Sequence, residues 1–137
     1  MVIKLRILDK INEIESYLEE FKSIIPKTFD EYINIKEKAA CERYFEKIIE
    51  SIVDLCFLII KDKNLEKPED DKSAFDILFK NKIISEETCD KLKDAKGMKN
   101  IISHKYGYID NRIVFDFITE KFLADASEFL DEIKRIK

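Results

Sequence analysis

The sequence predicts an all-α protein, an up-and-down bundle of about five helices, from its length, its turn-forming residues and its apolar spacing. The chain has 137 residues, enough for one domain with a sizeable core. It contains only 2 Gly and 2 Pro, whereas strand-and-hairpin folds need many such residues at their turns. Apolar residues recur at three- and four-residue steps, which is the period of an amphipathic helix. We therefore expect a single helical domain over residues 1–137.

Two helices are predicted in the first half of the chain. The first covers residues 2–25 and ends with the help of Pro26, because its apolar residues form one stripe: Ile7, Ile11, Ile14, Leu18, Phe21 and Ile25. The second begins near residues 28–30 and runs to about Lys61. Its apolar stripe widens in the later half, so more of its circumference should be buried, as in the central helix of a bundle.

The second half of the chain is divided by turn-forming and capping residues. Residues 64–72 are charged and lack an apolar period, which is typical of a connecting loop. A short helix is expected from Ser73, whose hydroxyl can cap it, and Ser85 is the cap candidate for the helix that carries the histidine. Beyond Gly107, a last helix should begin near Asn111. Its apolar positions are Ile113, Phe117, Phe122, Ala126, Phe129 and Ile133.

The composition argues against several classes of protein. A net charge of −4 gives no basic field of the kind that coats nucleic acid, so any RNA contact must be a local patch. The longest apolar run, residues 52–60, is interrupted by Asp54, and no signal peptide is recognisable, so we expect no membrane span and a cytoplasmic location. Cys41, Cys56 and Cys89 lack a metal-binding spacing and should be reduced core thiols. We expect neither a metal nor another cofactor.

Residues 97–110 hold the one constellation that could carry chemistry. They include the single histidine, His104; the ordinary pKa of histidine lies near neutrality, so it can donate or accept a proton when a phosphodiester is cleaved. Lys99 offers a positive charge to phosphate oxygens, and Asn100, one helical turn before the histidine, can orient its ring or hold a phosphate. These roles fit RNA cleavage by attack of the ribose 2′-hydroxyl, which in principle needs no metal.

Helix geometry and charge leave the arrangement of this site open. Lys99 and His104 would point about 140° apart on an ideal helix, so either the helix ends or loosens near Ser103 or a second subunit completes the site. Lys96 and Lys105 extend a basic edge suited to one RNA segment, although an ordinary solvated face has the same pattern. Spacing alone also fits a histidine that only favours the negative end of a helix dipole. Ser103 is a poor nucleophile candidate, because no acidic residue lies nearby in the sequence to orient the histidine as a triad requires.

The motif resembles that of a known family. The segment K-N-I-I-S-H-K-Y-G-Y-I-D is similar to the hallmark of HepT-like HEPN proteins, R-N-x-x-x-H-x-Y followed shortly by I-D. Asn100, His104 and Tyr106 occupy the matching places, and Lys99 stands where the family has arginine. The likeness covers most of the chain and weakens toward residues 1–35.

The resemblance implies a fold, an activity and a partner. The fold would be a bundle with a four-helix core that forms a homodimer, with motif residues of both protomers facing one cleft. The activity would be that of a metal-independent endoribonuclease. The partner would be a minimal nucleotidyltransferase antitoxin, in a type VII-like toxin–antitoxin system, that transfers AMP to the motif tyrosine, here Tyr106. The added phosphate charge would then block RNA from the cleft.

Two hypotheses of different classes follow. In the first, the chain is an RNA endonuclease toxin in which His104 is the general acid/base, Lys99 binds phosphate and Asn100 supports them. In the second, the lysine at position 99 lacks the bidentate fork of arginine, and the protein has lost its catalytic activity as a result. The dimer would then bind a nucleotidyltransferase, a nucleotide or RNA without cutting, and cleavage gained by Lys99→Arg would favour this reading. A purely structural helical protein is the third possibility, and the motif argues against it.

Overall fold

The computed structural model describes residues 2–104 and 109–136, apart from the side chains of the first two of these residues. All regular structure within those ranges is helical: α1 (Val2–Ile24), α2 (Phe29–Tyr32), α3 (Ile35–Asp62), α4 (Asp71–Lys80), α5 (Glu86–His104), α6 (Asn111–Asp116), a π-helix π1 (Phe117–Phe122) and α7 (Leu123–Lys134). The all-α prediction is confirmed. Each of the helices described is too short or too polar to cross a membrane.

Contacts between α1 and α3 fix one antiparallel pair of the bundle. Near the end of α1, Tyr44 Oη donates a hydrogen bond to Glu20 Oε1 at 2.8 Å. Nearer its start, Lys10 Nζ lies 3.6 Å from Asp54 Oδ2. Residue numbers therefore rise along α1 as they fall along α3. Phe21 stacks on Tyr44 with ring centroids 5.9 Å apart, which adds apolar contact to these polar pairs.

α5 runs antiparallel to α3. Ser103, in the last turn of α5, is hydrogen-bonded to Glu46 in the first half of α3. Near the other end of both helices, Cys89 is a neighbour of Cys56. α5 therefore points in the same direction as α1, and its last turn lies beside the first half of the central helix.

α7 reverses direction once more and lies antiparallel to α5. Ser85 N, at the start of α5, donates to Glu132 Oε1 at 2.6 Å, and Lys91 Nζ lies 3.6 Å from Asp125 Oδ1. α1, α3, α5 and α7 thus alternate up and down, which confirms the four-helix core that the family resemblance implied. The core lies between them and contains these large buried side chains: Phe21, Tyr32, Phe45, Phe75, Phe122, Phe129, Ile14, Ile48, Ile49, Ile52, Leu55 and Leu78.

The second predicted helix is interrupted near its start, contrary to the sequence-based expectation. α2 ends at Tyr32 and α3 begins at Ile35. Between them, Asn34 Oδ1 accepts hydrogen bonds from the backbone N of Lys36 at 3.0 Å and of Glu37 at 3.4 Å. An asparagine in this position satisfies free N–H groups at a helix start, so the chain begins a new helix here.

The cap of α4 also differs from the prediction, whereas that of α5 agrees with it. α4 begins two residues before Ser73, and its N-cap is Asp70. Ser73 N donates to Asp70 Oδ1 at 2.8 Å, and Asp70 N donates to Ser73 Oγ at 2.9 Å, a reciprocal capping box. At α5, Ser85 Oγ accepts from Thr88 N at 3.1 Å, as expected of a cap.

The last helical segment contains the π-helix π1, which explains an irregular step in the apolar pattern. Phe117 and Phe122 are five residues apart, one more than an α-helical stripe allows. The i→i+5 hydrogen bonding of a π-helix places such residues above one another, and the two rings stack with centroids 6.1 Å apart. Both pack edge-on against Phe45 of α3, at 5.9 and 4.6 Å. This aromatic cluster joins the last helix to α3, one residue before Glu46.

Candidate functional site

The predicted site residues that the structure describes lie on the second half of α5. One face of this helix is buried and anchors it to the core. Ala95 and Ile102 are buried in the core. Lys99 and Asn100 are half-buried, and His104 is exposed as the last residue of the helix. The C-terminal end of a helix carries partial negative charge and attracts cations. His104 lies at this end of α5, where the helix dipole favours positively charged side chains.

The angle between the Lys99 and His104 side chains follows from the extent of α5. The helix continues through Ser103 to His104, so it does not loosen before the histidine, as one of the two sequence-based alternatives required. Lys99 and His104 therefore leave the helix about 140° apart. In the described part of the chain, Lys99 has no ion pair, so its ammonium group is available to an anion.

An acidic residue that the sequence analysis did not single out reaches the last turn of α5. Ser103 Oγ donates a hydrogen bond to Glu46 Oε2 at 2.8 Å. Glu46 lies 57 residues away in the sequence, so no local motif could have indicated it. Glu46 accepts the proton of the serine rather than orienting the histidine as in a triad, and this hydrogen bond does not revive Ser103 as a nucleophile.

The basic edge predicted on α5 is largely neutralised by α4. Lys96 Nζ lies 2.9 Å from Asp71 Oδ2, and the Lys96 side chain is only 14% exposed. Lys93 is paired with Asp76 one turn further along α4. The ion pair between Lys96 and Asp71 must break before Lys96 can bind a phosphate, whereas no described carboxylate is paired with Lys99. Lys99 is therefore the better phosphate ligand of the two.

Two of the predicted residues, Lys105 and Tyr106, lie outside the described residues. Asp110, the last residue of the motif, has a structural role. Asp110 Oδ1 accepts hydrogen bonds from the backbone N of Arg112 at 2.9 Å and of Ile113 at 3.3 Å, which caps α6. The sequence signal was available, because an aspartate before a run of helix-forming residues favours a helix start.

The chemistry open to these groups is proton transfer and stabilisation of negative charge. Over the ranges 2–104 and 109–136, no three His, Cys, Asp or Glu side chains are grouped so as to hold a metal ion. A large cleft of about 1060 Å³ opens at the other end of the bundle, where residues such as Lys63, Asn81 and Arg135 line it. None of the described residues that line it belongs to the motif, so His104 and this cleft lie at opposite ends of α5.

Known proteins similar in sequence carry names that refer to RNA cleavage. A protein of Archaeoglobus fulgidus named "Putative RNase" is 27% identical over 129 residues, which is 88% of this chain and 97% of that protein. The mRNA nuclease HepT of Shewanella oneidensis is 28% identical over 89 residues. That match covers 65% of this chain and 66% of the nuclease.

A solved structure shares the fold of this chain, and a family of proteins matches most of its sequence. The tri-AMPylated HEPN toxin of Shewanella oneidensis, in complex with MNT antitoxin, superposes with a TM-score of 0.88 at 22% identity. The superposition covers 95% of this chain and 97% of the toxin, and shows that the two share a fold. Residues 14–133 match the family described as Ribonuclease HepT-like, which is most of the sequence. The chain therefore belongs to the HepT-like ribonuclease family of HEPN proteins.

Proposed function

We propose that this chain is a metal-independent endoribonuclease, the toxin of a pair whose antitoxin is a minimal nucleotidyltransferase, and that it acts as a homodimer. The observation that carries the proposal is the placement of the family motif. His104, the single histidine, is exposed at the end of α5, with Asn100 one turn before it on the same helix. A catalytic group for a polymeric substrate must be open to solvent, and this one is.

The proposed reaction needs only proton transfer and charge stabilisation. The ribose 2′-oxygen attacks the adjacent phosphorus, the bond from phosphorus to the 5′-oxygen breaks, and a 2′,3′-cyclic phosphate forms. His104 accepts the proton of the 2′-hydroxyl or donates one to the departing 5′-oxygen. Lys99 stabilises the negative charge that develops on the phosphate oxygens, and Asn100 orients the histidine or the phosphate.

The geometry of α5 supports a site completed by two protomers. Because the helix is continuous from Lys99 to His104, the two side chains diverge by about 140° and are poorly placed to grip one phosphate from within a single chain. If two copies of α5 meet at a two-fold axis, the lysine of one protomer approaches the histidine of the other. Such a cleft would also hold two histidines, one as base and one as acid.

The regulation we propose is covalent modification of Tyr106 by the partner. The Shewanella oneidensis toxin that shares this fold is AMPylated and bound to its antitoxin. Transfer of AMP to Tyr106, two residues after the histidine, would place a phosphodiester charge beside the site. RNA phosphates would then be repelled from the cleft, as Lys99 and the adjacent basic residues Lys96 and Lys105 could no longer attract them.

The test is cleavage of a mixed pool of total RNA and tRNA by the purified protein in the presence of EDTA. We expect fragments that end in 2′,3′-cyclic phosphate from the wild type and none from His104→Ala. Equal cleavage by the two proteins would contradict the proposal, because the activity would then come from another group or from a contaminant. Sedimentation velocity on the same preparations should give the mass of a dimer.

The presence of lysine at position 99 favours one alternative function. In this alternative, the chain is a HEPN dimer that binds a nucleotidyltransferase, a nucleotide or RNA without cutting RNA. Lysine keeps the charge of the family's arginine but cannot contact a phosphate through two parallel N–H groups. If the wild type leaves RNA intact and Lys99→Arg cleaves it, this alternative is supported. If both cleave and the arginine variant is faster, the endoribonuclease assignment stands, with lysine as a weaker clamp.

A further inference from the structure

The last turn of α5 is tied to the central helix by a hydrogen bond that the proposed reaction does not use. Ser103 Oγ donates to Glu46 Oε2 at 2.8 Å, across 57 residues of sequence. Ser103 immediately precedes His104, and the two are the last residues of α5. Helix ends fray because their terminal carbonyl groups lack intrahelical partners. A tie at this point fixes the backbone from which the histidine side chain leaves.

Glu46 is well anchored for such a role. It lies within the 28 residues of α3 and is half-buried. Its neighbour Phe45 is fully buried and packs edge-on against Phe117 and Phe122 of π1. The carboxylate therefore lies on a stretch of backbone that the packing of Phe45 against π1 holds in place.

The charge of Glu46 is unsuited to binding RNA directly. A carboxylate repels phosphate groups, so Glu46 weakens RNA binding rather than supporting it. Its place beside the motif therefore indicates a different role. We propose that Glu46 is a positioning residue for His104, acting through its hydrogen bond with Ser103. This inference rests on the proposed ribonuclease function.

A double-mutant cycle tests the coupling in the active protein. Glu46→Ala and Ser103→Ala should each lower kcat by about tenfold to a hundredfold without raising KM, because small displacements of a catalytic group have effects of that order. The double variant should be no slower than the slower single variant. Glu46→Gln keeps an acceptor for the serine proton and should retain most of the activity.

Glu50→Ala provides the matched control. Glu50 is the same residue type on the same helix, one turn from Glu46, and it is exposed. We expect its replacement to leave kcat unchanged. Equal losses in Glu50→Ala and Glu46→Ala, or additive losses in the Glu46→Ala/Ser103→Ala double variant, would overturn the proposal. If Glu46→Ala fails to fold, Ser103→Ala and Glu46→Gln carry the test, since Ser103 is exposed and the glutamine is nearly isosteric.

A spectroscopic measurement separates this proposal from the proposed function. His104 is the single histidine of the chain, so its Cε1–H resonance in a ¹H–¹³C spectrum is assigned without ambiguity. Ser103→Ala and Glu46→Ala should displace this resonance, and Glu50→Ala should leave it in place. An unmoved resonance in the first two variants overturns the positioning role. A wild type that cleaves no RNA but shows the expected displacement would overturn the ribonuclease function and leave the coupling of Glu46 to His104 established.

Discussion

Replacing Tyr32 with phenylalanine should stabilise the protein. The Tyr32 ring is fully buried against Phe29 and Phe115, with centroids 6.4 and 5.0 Å away. Among the residues that the structure describes, its hydroxyl finds no hydrogen-bond partner. A buried polar group without a partner costs about 1–3 kcal/mol, and phenylalanine keeps the ring contacts without that cost. Since removal of the oxygen leaves a small gap, we expect Tyr32→Phe to raise the free energy of unfolding by about 1 kcal/mol at pH 7.

The stabilisation should grow in alkaline solution. Burial, and secondarily the charge of Glu42, raises the pKa of Tyr32 well above its usual range. In the unfolded chain the same hydroxyl ionises near pH 10. Above that pH the unfolded state of the wild type loses a proton that the folded state keeps, so its free energy of unfolding falls by about 1.4 kcal/mol per pH unit. Tyr32→Phe lacks this loss, and the difference from the wild type should reach about 2.4 kcal/mol at pH 11.

Urea denaturation followed by circular dichroism at pH 7 and at pH 11 measures both effects. At pH 7 we expect a higher midpoint with an unchanged slope, and a thermal midpoint raised by about 3 °C. Tyr44→Phe is the control at pH 7, because the Tyr44 hydroxyl is bonded to Glu20, and its removal should not stabilise the protein at that pH. A Tyr32→Phe variant less stable than the wild type at pH 7 would refute the reasoning and point to a buried water on the hydroxyl.

Three further predictions concern the core, the thiols and a helix cap. Phe45→Ala should lower the free energy of unfolding by about 3 kcal/mol in urea titrations, because it empties the centre of the aromatic cluster with π1. Cys41, Cys56 and Cys89 are buried, and burial raises the pKa of Cys41 and Cys89 to about 11. Disulfide reagents should therefore modify them at pH 8 only when the protein unfolds; rapid labelling of the native protein would contradict this. The bonds from Ser73 lower the pKa of Asp70; the cap's contribution is present above about pH 4 and lost as the pH falls below it, so Asp70→Asn should reduce acid sensitivity in pH-jump unfolding.

The helical nature of the chain and the motif follow from local features of the sequence. Three- and four-residue apolar steps, few glycines and a proline after the first helix are read along one segment at a time. The candidate site residues His104, Asn100 and Lys99 were recognised in the same way, because a motif with fixed spacing on one helix needs no knowledge of the other helices. Even the five-residue step from Phe117 to Phe122 was visible, although its meaning was not.

The tertiary structure decided how distant segments meet, and there the sequence alone carried no signal. Glu46 reaches Ser103 only because α3 and α5 pack antiparallel in the bundle. Asp71 forms an ion pair with Lys96 for the same kind of reason, since α4 lies against α5. The π-helix arose because both of its phenylalanines gain contact with one ring on α3. Side-chain partners across helices depend on the register and direction of packing, which the burial of the whole apolar surface sets at once, and no single segment of sequence contains that information.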